Sequence, residues 1–166
     1  MKILELNTCC GSGSTGKIAL NIATEAAREG DQTVIGYGTG NLPTDAEPFA
    51  LRIGGRTERK LHGAMRKLFD AEGYGSIVAT NRLIDFMREF QPDVVHLHNL
   101  HGCYLNLSRL FEHLRLSDVP VLWTLHDCWA FTGHCAYFDY AACDRWQREC
   151  HDCPQQRSYP IFVGLD

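Results

Sequence analysis

Short, nearly continuous apolar runs alternate along this chain with longer stretches whose apolar residues recur every three or four positions. The first kind reads as buried strand, the second as one-sided helix. Ile3-Leu4-Glu5-Leu6 opens the series, and Ile18, Ala19, Ile22, Ala23, Ala26 and Ala27 mark a helix ending near Gly30. Thr33 to Tyr37 predicts a second strand, residues 38–48 a loop rich in glycine and proline, and Phe49 to Ile53 a short third strand closed by Gly54-Gly55. Residues 57–70 predict a helix with Leu61, Ala64, Met65 and Leu68 on one face and Arg59, Lys60, Arg66 and Lys67 elsewhere. Its ordinary reading is a packed helix with a solvated charged face. A further helix runs from Ser76 to Phe90, buried through Ile77, Leu83, Ile84, Met87 and Phe90, and stops at Gln91-Pro92. Asp93 to His98 is then a strand, Tyr104 to Leu116 a helix and Val121 to Leu125 a strand. Strands alternating with helices predict an α/β fold, a parallel sheet covered on both faces and joined by right-handed crossovers.

Ligands of such sheets sit beyond the carboxyl ends of the strands. Three polar groups occupy those places: the turn Gly11 to Lys17 (GSGSTGK), His98-Asn99 and His126-Asp127. The turn stands between a strand and a helix, where unpaired backbone N–H groups and the helix dipole favour an anion, most often a phosphate. The spacing Gly11-x-Gly13-x-x-Gly16 fits a dinucleotide fingerprint, but Tyr37-Gly38-Thr39 stands where the ribose-binding acid belongs. Gly11-x4-Gly16-Lys17 fits a nucleoside-triphosphate loop, but Ile18 replaces the Mg²⁺-ligating hydroxyl. A phosphate-handling NTPase or kinase is therefore the enzymatic alternative. His98 and His126 each end a strand, where an imidazole can bond a sugar hydroxyl or a phosphate oxygen, while His96 reads as structural. His96-x-His98-x-x-His101 invites a metallohydrolase reading, which Leu100 disfavours by standing where an acidic ligand is expected.

With 166 residues the chain fits one domain with a real core, and its net charge of −4 gives no argument for nucleic acid. The first strand starts directly after Met1 and no apolar run reaches membrane-spanning length, so the expected location is cytoplasmic. Eight cysteines are many for that compartment. Four follow Cys135-x7-Cys143-x6-Cys150-x2-Cys153 in a C-terminal excursion, residues 126–154, with His134 and His151 interleaved. They read as a structural zinc site, two disulfides or buried thiols, and each would staple the excursion. A zinc-stabilised interaction module is the non-enzymatic alternative.

The glycine turn, the strand end Val94-Val95-His96-Leu97-His98-Asn99, and Leu125-His126-Asp127-Cys128-Trp129-Ala130-Phe131-Thr132-Gly133-His134-Cys135 with the trailing cysteines and Pro154 resemble one family. Over nearly its whole length the chain is similar to the N-terminal, acceptor-side, Rossmann-like domain of a glycosyltransferase family 4 enzyme of the GT-B fold. The resemblance implies a retaining transfer of a hexosyl group from a nucleotide-sugar donor to a glycan or lipid-linked acceptor in polysaccharide biosynthesis, with no metal needed for catalysis. It implies that Gly13, Ser14, Thr15 and Gly16, with Lys17, His98 and Asn99 on the same rim, approach the donor phosphates. It places His126 beside the transferred sugar, with Asp127 following it. In that family a C-terminal domain binds the donor, and residues 1–166 do not contain it; these residues alone are expected to be inactive, since half a cleft cannot hold donor and acceptor together. A lipid-linked acceptor would bring the basic helix against the inner face of a membrane.

Overall fold

A computed structural model describes residues 1–164 of the 166. The elements are β1 (Lys2–Cys9), α1 (Gly13–Arg28), β2 (Gln32–Thr39), β3 (Ala50–Arg52), α2 (Arg56–Phe69), α3 (Ile77–Phe90), β4 (Val94–Leu97), α4 (Leu107–Leu116), β5 (Val121–Trp123) and α5 (Trp129–Thr132). All five strands are parallel, in the order β3-β2-β1-β4-β5. The chain leaves β1 toward one edge through β2 and β3, then returns to the other side at β4. The β1/β4 boundary is therefore the point where the strand order reverses, the place where open α/β sheets take their ligands.

The two faces differ in chemistry. On one, Leu4, Leu6, Val95 and Leu97 join Leu83 and Met87 of α3 and Leu110 and Leu114 of α4 in a single apolar cluster. On the other, Ile35 and Tyr37 pack with Ala19, Leu20 and Ala23 of α1. Residues in register on neighbouring strands point the same way. Because Glu5 pairs with Ile35 and with His96, and Asn7 with Tyr37, this second face also carries the polar row Glu5, Asn7 and His96. A polar row inside a buried central strand is costly unless every group finds a partner.

Several predicted elements shift. The contact stripe of α1 is Gly16, Ala19, Leu20 and Ala23, with Ile18 41% exposed, because small residues let the helix lie close to the sheet. The predicted loop 38–48 keeps Gly38 within β2 and ends in a 3-10 turn at Thr44–Phe49. The fourth long helix starts at Leu107 rather than Tyr104. Cys103 takes a left-handed backbone (φ 59°), Tyr104 plugs the core with its hydroxyl on the Asn99 carbonyl, and Asn106 caps the helix by accepting from the Arg109 N–H at 3.1 Å. β5 stops at Trp123, and Leu125 beyond it is 52% exposed.

The largest correction concerns α2. Its inward positions are Glu58, His62 and Arg66, four residues apart, and the predicted apolar face looks outward: Leu61 is 65% and Leu68 54% exposed. The polar side holds because Glu58 and His62 find hydrogen-bond partners and Arg66 lies 3.8 Å from Glu72 Oε2, although Arg66 Nε is buried without one. Glu58 accepts from the Ala79 N–H at 3.0 Å, His62 Nε2 accepts from the N–H groups of Gly73 and Gly75, and its Nδ1 donates to Ser76 Oγ. Among the described residues no helix is long and apolar enough to cross a membrane.

Candidate functional site

The three predicted strand ends lie side by side on β1, β4 and β5. In the glycine turn, Gly11 and Gly16 serve packing: Gly11 lies under Pro43 and Ala46, and Gly16 against Cys9. Gly13 is open, with φ 68°, a backbone that other residues rarely adopt. Ser12 precedes α1 without a side-chain cap and the first turn carries no acid, so the first N–H groups of Gly13, Ser14 and Thr15 point outward with the helix dipole. Lys17 is exposed on the second turn.

Asn7 ties this turn to the next strand end. Its amide donates to the Cys9 carbonyl at 2.8 Å and lies 3.4 Å from Thr15 Oγ1, while its carbonyl oxygen accepts from the Asn99 N–H at 3.3 Å. Thr8 adds a second clasp, its hydroxyl lying 3.1 Å from the Asn99 carbonyl and 2.6 Å from that of His101. Neither residue carries a motif, so sequence reading passes over both; the signal was polar residues inside an otherwise buried central strand.

The centre of the rim is a chain of three titratable groups, two buried and the last half-buried. His98 Nε2 lies 2.9 Å from Glu5 Oε2, with both side chains fully buried, and His98 Nδ1 lies 3.0 Å from His126 Nε2. The geometry would admit an ion pair, but desolvation argues for neutral partners. Burial pushes the Glu5 carboxyl up to about 8 and the His98 imidazole down to about 4. Glu5 Oε1 is buried with no hydrogen-bond partner, which penalises a carboxylate further. With both neutral, the Glu5 O–H donates to His98 Nε2, and His98 Nδ1–H donates to His126 Nε2. His126 then carries its proton on Nδ1, the nitrogen not engaged by His98. Burial first, then His98, lowers the pKa of His126 against the opposing pull of Asp127, so it is a neutral donor near pH 7.

Full burial separates the two predicted histidines in role. His98 has no exposed surface with which to meet a phosphate, and it reaches a ligand only through half-buried His126. Glu5 was not among the sequence candidates, because one acid in an apolar run reads as a strand residue facing solvent.

Asp127 points away from that chain. Its Oδ2 accepts from His101 Nε2 at 2.8 Å and its Oδ1 from the Trp129 N–H at 3.0 Å. Burial alone would raise its pKa, but these bonds and the His101 charge hold it below the usual carboxylate range. His101 Nδ1 in turn meets the Tyr159 hydroxyl at 2.8 Å. Asp127 is thus placed to fix the wall of the rim, one residue from His126.

His96, His98 and His101 do not converge on a metal: His96 Nε2 is bonded to Thr124 Oγ1 at 2.8 Å and His101 faces Asp127. Glu5, His96 and His98 offer atoms within 4.8 Å of one another, as do His62, Glu72 and Cys103. Both ring nitrogens of His98 and of His62 are already engaged, so a cation at either place would have to break the network. Cys135 is buried, Cys143 and Cys153 are half-buried and Cys150 is exposed. Burial first, then its neighbours Cys153, Cys150 and Cys143, push the Cys135 thiol up to about 12.

The hollow lined by His98, Asn99, His101, His126, Asp127 and Trp129 measures only about 10 Å³, room for roughly one water. That hollow encloses nothing ligand-sized, and the three strand ends form an open edge. The sequence profile of Glycosyltransferase Family 4 matches residues 15–154, from inside the glycine turn to just past the last clustered cysteine. WcaC of Escherichia coli, whose name assigns it to glycosyl transfer in colanic acid biosynthesis, is 32% identical over 170 residues. That match takes in 96% of this chain and 41% of WcaC, so the chain spans less than half the length of this relative. No solved structure matches the chain. With a parallel sheet, a strand-end rim and a profile match that runs from the end of the glycine turn through both histidine strand ends and the clustered cysteines, the chain belongs to glycosyltransferase family 4.

Proposed function

We propose that this chain forms the acceptor-side wall of a retaining glycosyltransferase, which moves a sugar from a nucleotide-sugar donor to a glycan or lipid-linked acceptor in polysaccharide biosynthesis. The observation that carries the reading is the hydrogen-bonded chain Glu5–His98–His126, which ends on the same edge as the open N-terminus of α1. His126 Nδ1–H offers one oriented donor to a sugar hydroxyl or a departing phosphate oxygen. The N–H groups of residues 13 to 16 offer a nest for diphosphate. A C-terminal donor-binding domain supplies the opposite wall, and no metal is required for transfer.

A 410 Å³ hollow at the carboxyl end of β2, beside Gly102, is lined by Arg56, Arg59 and Lys60. Among the described residues none of these three has a carboxylate partner within 4.0 Å, and Arg59 Nε is buried without a hydrogen bond. Such a group suits a phosphate on the acceptor. The outward face of α2 next to it mixes Leu61, Ala64 and Leu68 with Lys60 and Lys67, which fits an anionic lipid surface bearing that acceptor.

The reading is tested in the full-length polypeptide that carries this chain. His126→Ala should lower kcat about 10²-fold or more, with the product's anomeric configuration retained and EDTA without effect on the wild type. Unchanged kcat in a folded His126→Ala protein rules out this site.

A further inference from the structure

With Glu58, His62 and Arg66 turned inward, α2 keeps an apolar flank that faces the start of α3 instead of the core. A groove of about 640 Å³ runs between the two helices, walled by Leu61, Met65, Tyr74, Ile77 and Val78. All of these but Met65 are exposed. The volume falls within the roughly 300–1,000 Å³ of small-molecule sites. The polar groups of the floor are engaged elsewhere. His62 has both ring nitrogens bonded, Ser76 Oγ lies between His62 and the Cys103 carbonyl, and the Glu58 carboxylate accepts from the Ala79 N–H. An occupant of the groove therefore meets mostly carbon.

Charge at the groove's margins decides what that occupant is. Arg56 lines the groove and also the basic hollow of Arg59 and Lys60 at the carboxyl end of β2, so the two cavities share a wall. Arg82 stands on the same groove's border. Among the described residues neither Arg56 nor Arg82 has a carboxylate partner within 4.0 Å. A carbon-lined trough that continues into unpaired cations fits one molecule with an anionic head and an apolar chain. An apolar peptide helix would leave the cations unmatched, and a bare glycan would bury its hydroxyls against carbon without partners.

We propose that the groove between α2 and α3 seats the hydrocarbon chain of the acceptor, a single-chain lipid whose phosphate lies on Arg56, Arg59 and Lys60. The proposal rests on the transfer reading above and narrows its acceptor to the lipid-linked class. It also gives the acceptor a direction. The basic hollow is bordered by Gly102, next to His101, which bonds Asp127 on the rim, so the head lies toward the rim. The chain leads away from it along α2 to exposed Leu61.

Calorimetry on the full-length polypeptide with monomeric dodecyl phosphate and butyl phosphate, both below micelle formation, separates chain from head. Each buried methylene tightens binding about fourfold, so the longer chain should bind at least about 30-fold more tightly. Dodecyl maltoside, which has the chain without the phosphate, should bind about tenfold or more weakly than dodecyl phosphate. Leu61→Ser with Val78→Ser, at two positions more than half exposed, should remove most of the chain-length advantage and leave butyl phosphate unchanged. Arg56→Gln should weaken both phosphates. Leu68→Ser, on α2 but outside the groove, should alter neither. Equal affinity for the two phosphates overturns the proposal, as does a folded double variant that keeps the full advantage. Equally tight binding of monomeric dihexanoyl phosphatidylglycerol would assign the groove to bulk bilayer lipid and overturns it too. None of these results touches the transfer reading, which the kcat of His126→Ala tests at a residue outside the groove.

Discussion

Replacing Glu5 by glutamine isolates the proton that the buried chain depends on. In wild type the carboxyl is pushed from 4.5 up to about 8 by burial. Below pH 4.5 the group is protonated in both folded and unfolded chains and contributes no pH dependence. Between pH 4.5 and about 8 the unfolded chain releases the proton and the folded chain keeps it, so stability falls as pH rises. At about 1.4 kcal/mol per pH, the loss is roughly 3 kcal/mol by pH 7 and at most about 5 kcal/mol by pH 8. Glu5→Gln has no proton to release, and its new amide can still donate to His98 Nε2. The variant should therefore be the more stable protein at neutral pH, by up to about 3 kcal/mol.

The assay is urea unfolding of both proteins at intervals from pH 4.5 to 8.5. Above pH 6.5 wild type should lose stability up to about pH 8 while the variant stays flat. Below pH 6.5 both carry an opposing acid limb, because His96 and His98, held down to about 4, stay neutral in the folded protein while the unfolded imidazoles charge, so there the wild type gains less with rising pH than the variant does. Parallel profiles from pH 5 to 8 would refute the reasoning. So would a variant less stable than wild type at pH 7.5, the mark of an ionised Glu5–His98 pair broken by the change.

Gly38→Ala should be strongly destabilising although the position is in an ordinary strand. An added Cβ would lie 2.2 Å from Tyr104 Cβ, and Tyr104 fills the core between β2 and the Asn99 carbonyl; a loss of stability of about 1–3 kcal/mol or more is expected, read as a lower urea midpoint. Leu61→Glu with Leu68→Glu should leave the fold unchanged, since both side chains are more than half exposed. The pair should abolish sedimentation with phosphatidylglycerol vesicles; binding that survives both charges shows that α2 is not the lipid-facing element.

The alternation of strand and helix was plain in the sequence because it depends on local periods, and the sheet followed from it. α2 was misread for an equally physical reason. Its Leu61, Ala64 and Leu68 recur at helical spacing, but periodicity reports only that two faces differ, not which one turns inward. Here Glu58, His62 and Arg66 win that position, because Ala79, Gly73, Gly75 and Glu72 offer partners that no local window contains. The same limit hid Glu5 and Asn7. Their partners, His98 and Asn99, are more than 90 residues away along the chain, and only the parallel register of β1 with β4 brings them together.

That register also explains why the rim has to be built from a polar strand. Glu5, paired with His96, sets the row that continues to His98, and the bond from His98 extends it beyond β5 to His126. A hydrophobic residue at position 5 would pack well beside Ile35, yet it would leave His98 Nε2 buried without a partner, at a cost of about 1–3 kcal/mol. It would also free the tautomer of His98, and with it the nitrogen on which His126 keeps its proton. The destabilising carboxyl is therefore tied to the orientation of the outward N–H. On this reading Glu5→Leu and Glu5→Gln should part company: both remove the alkaline loss of stability, but only glutamine preserves a donor to His98. Nitrogen-15 shifts of the His126 ring should stay in the Nδ1–H pattern in Glu5→Gln and move to a mixture of tautomers in Glu5→Leu. The same shifts in both variants would mean that the buried acid does not govern the rim.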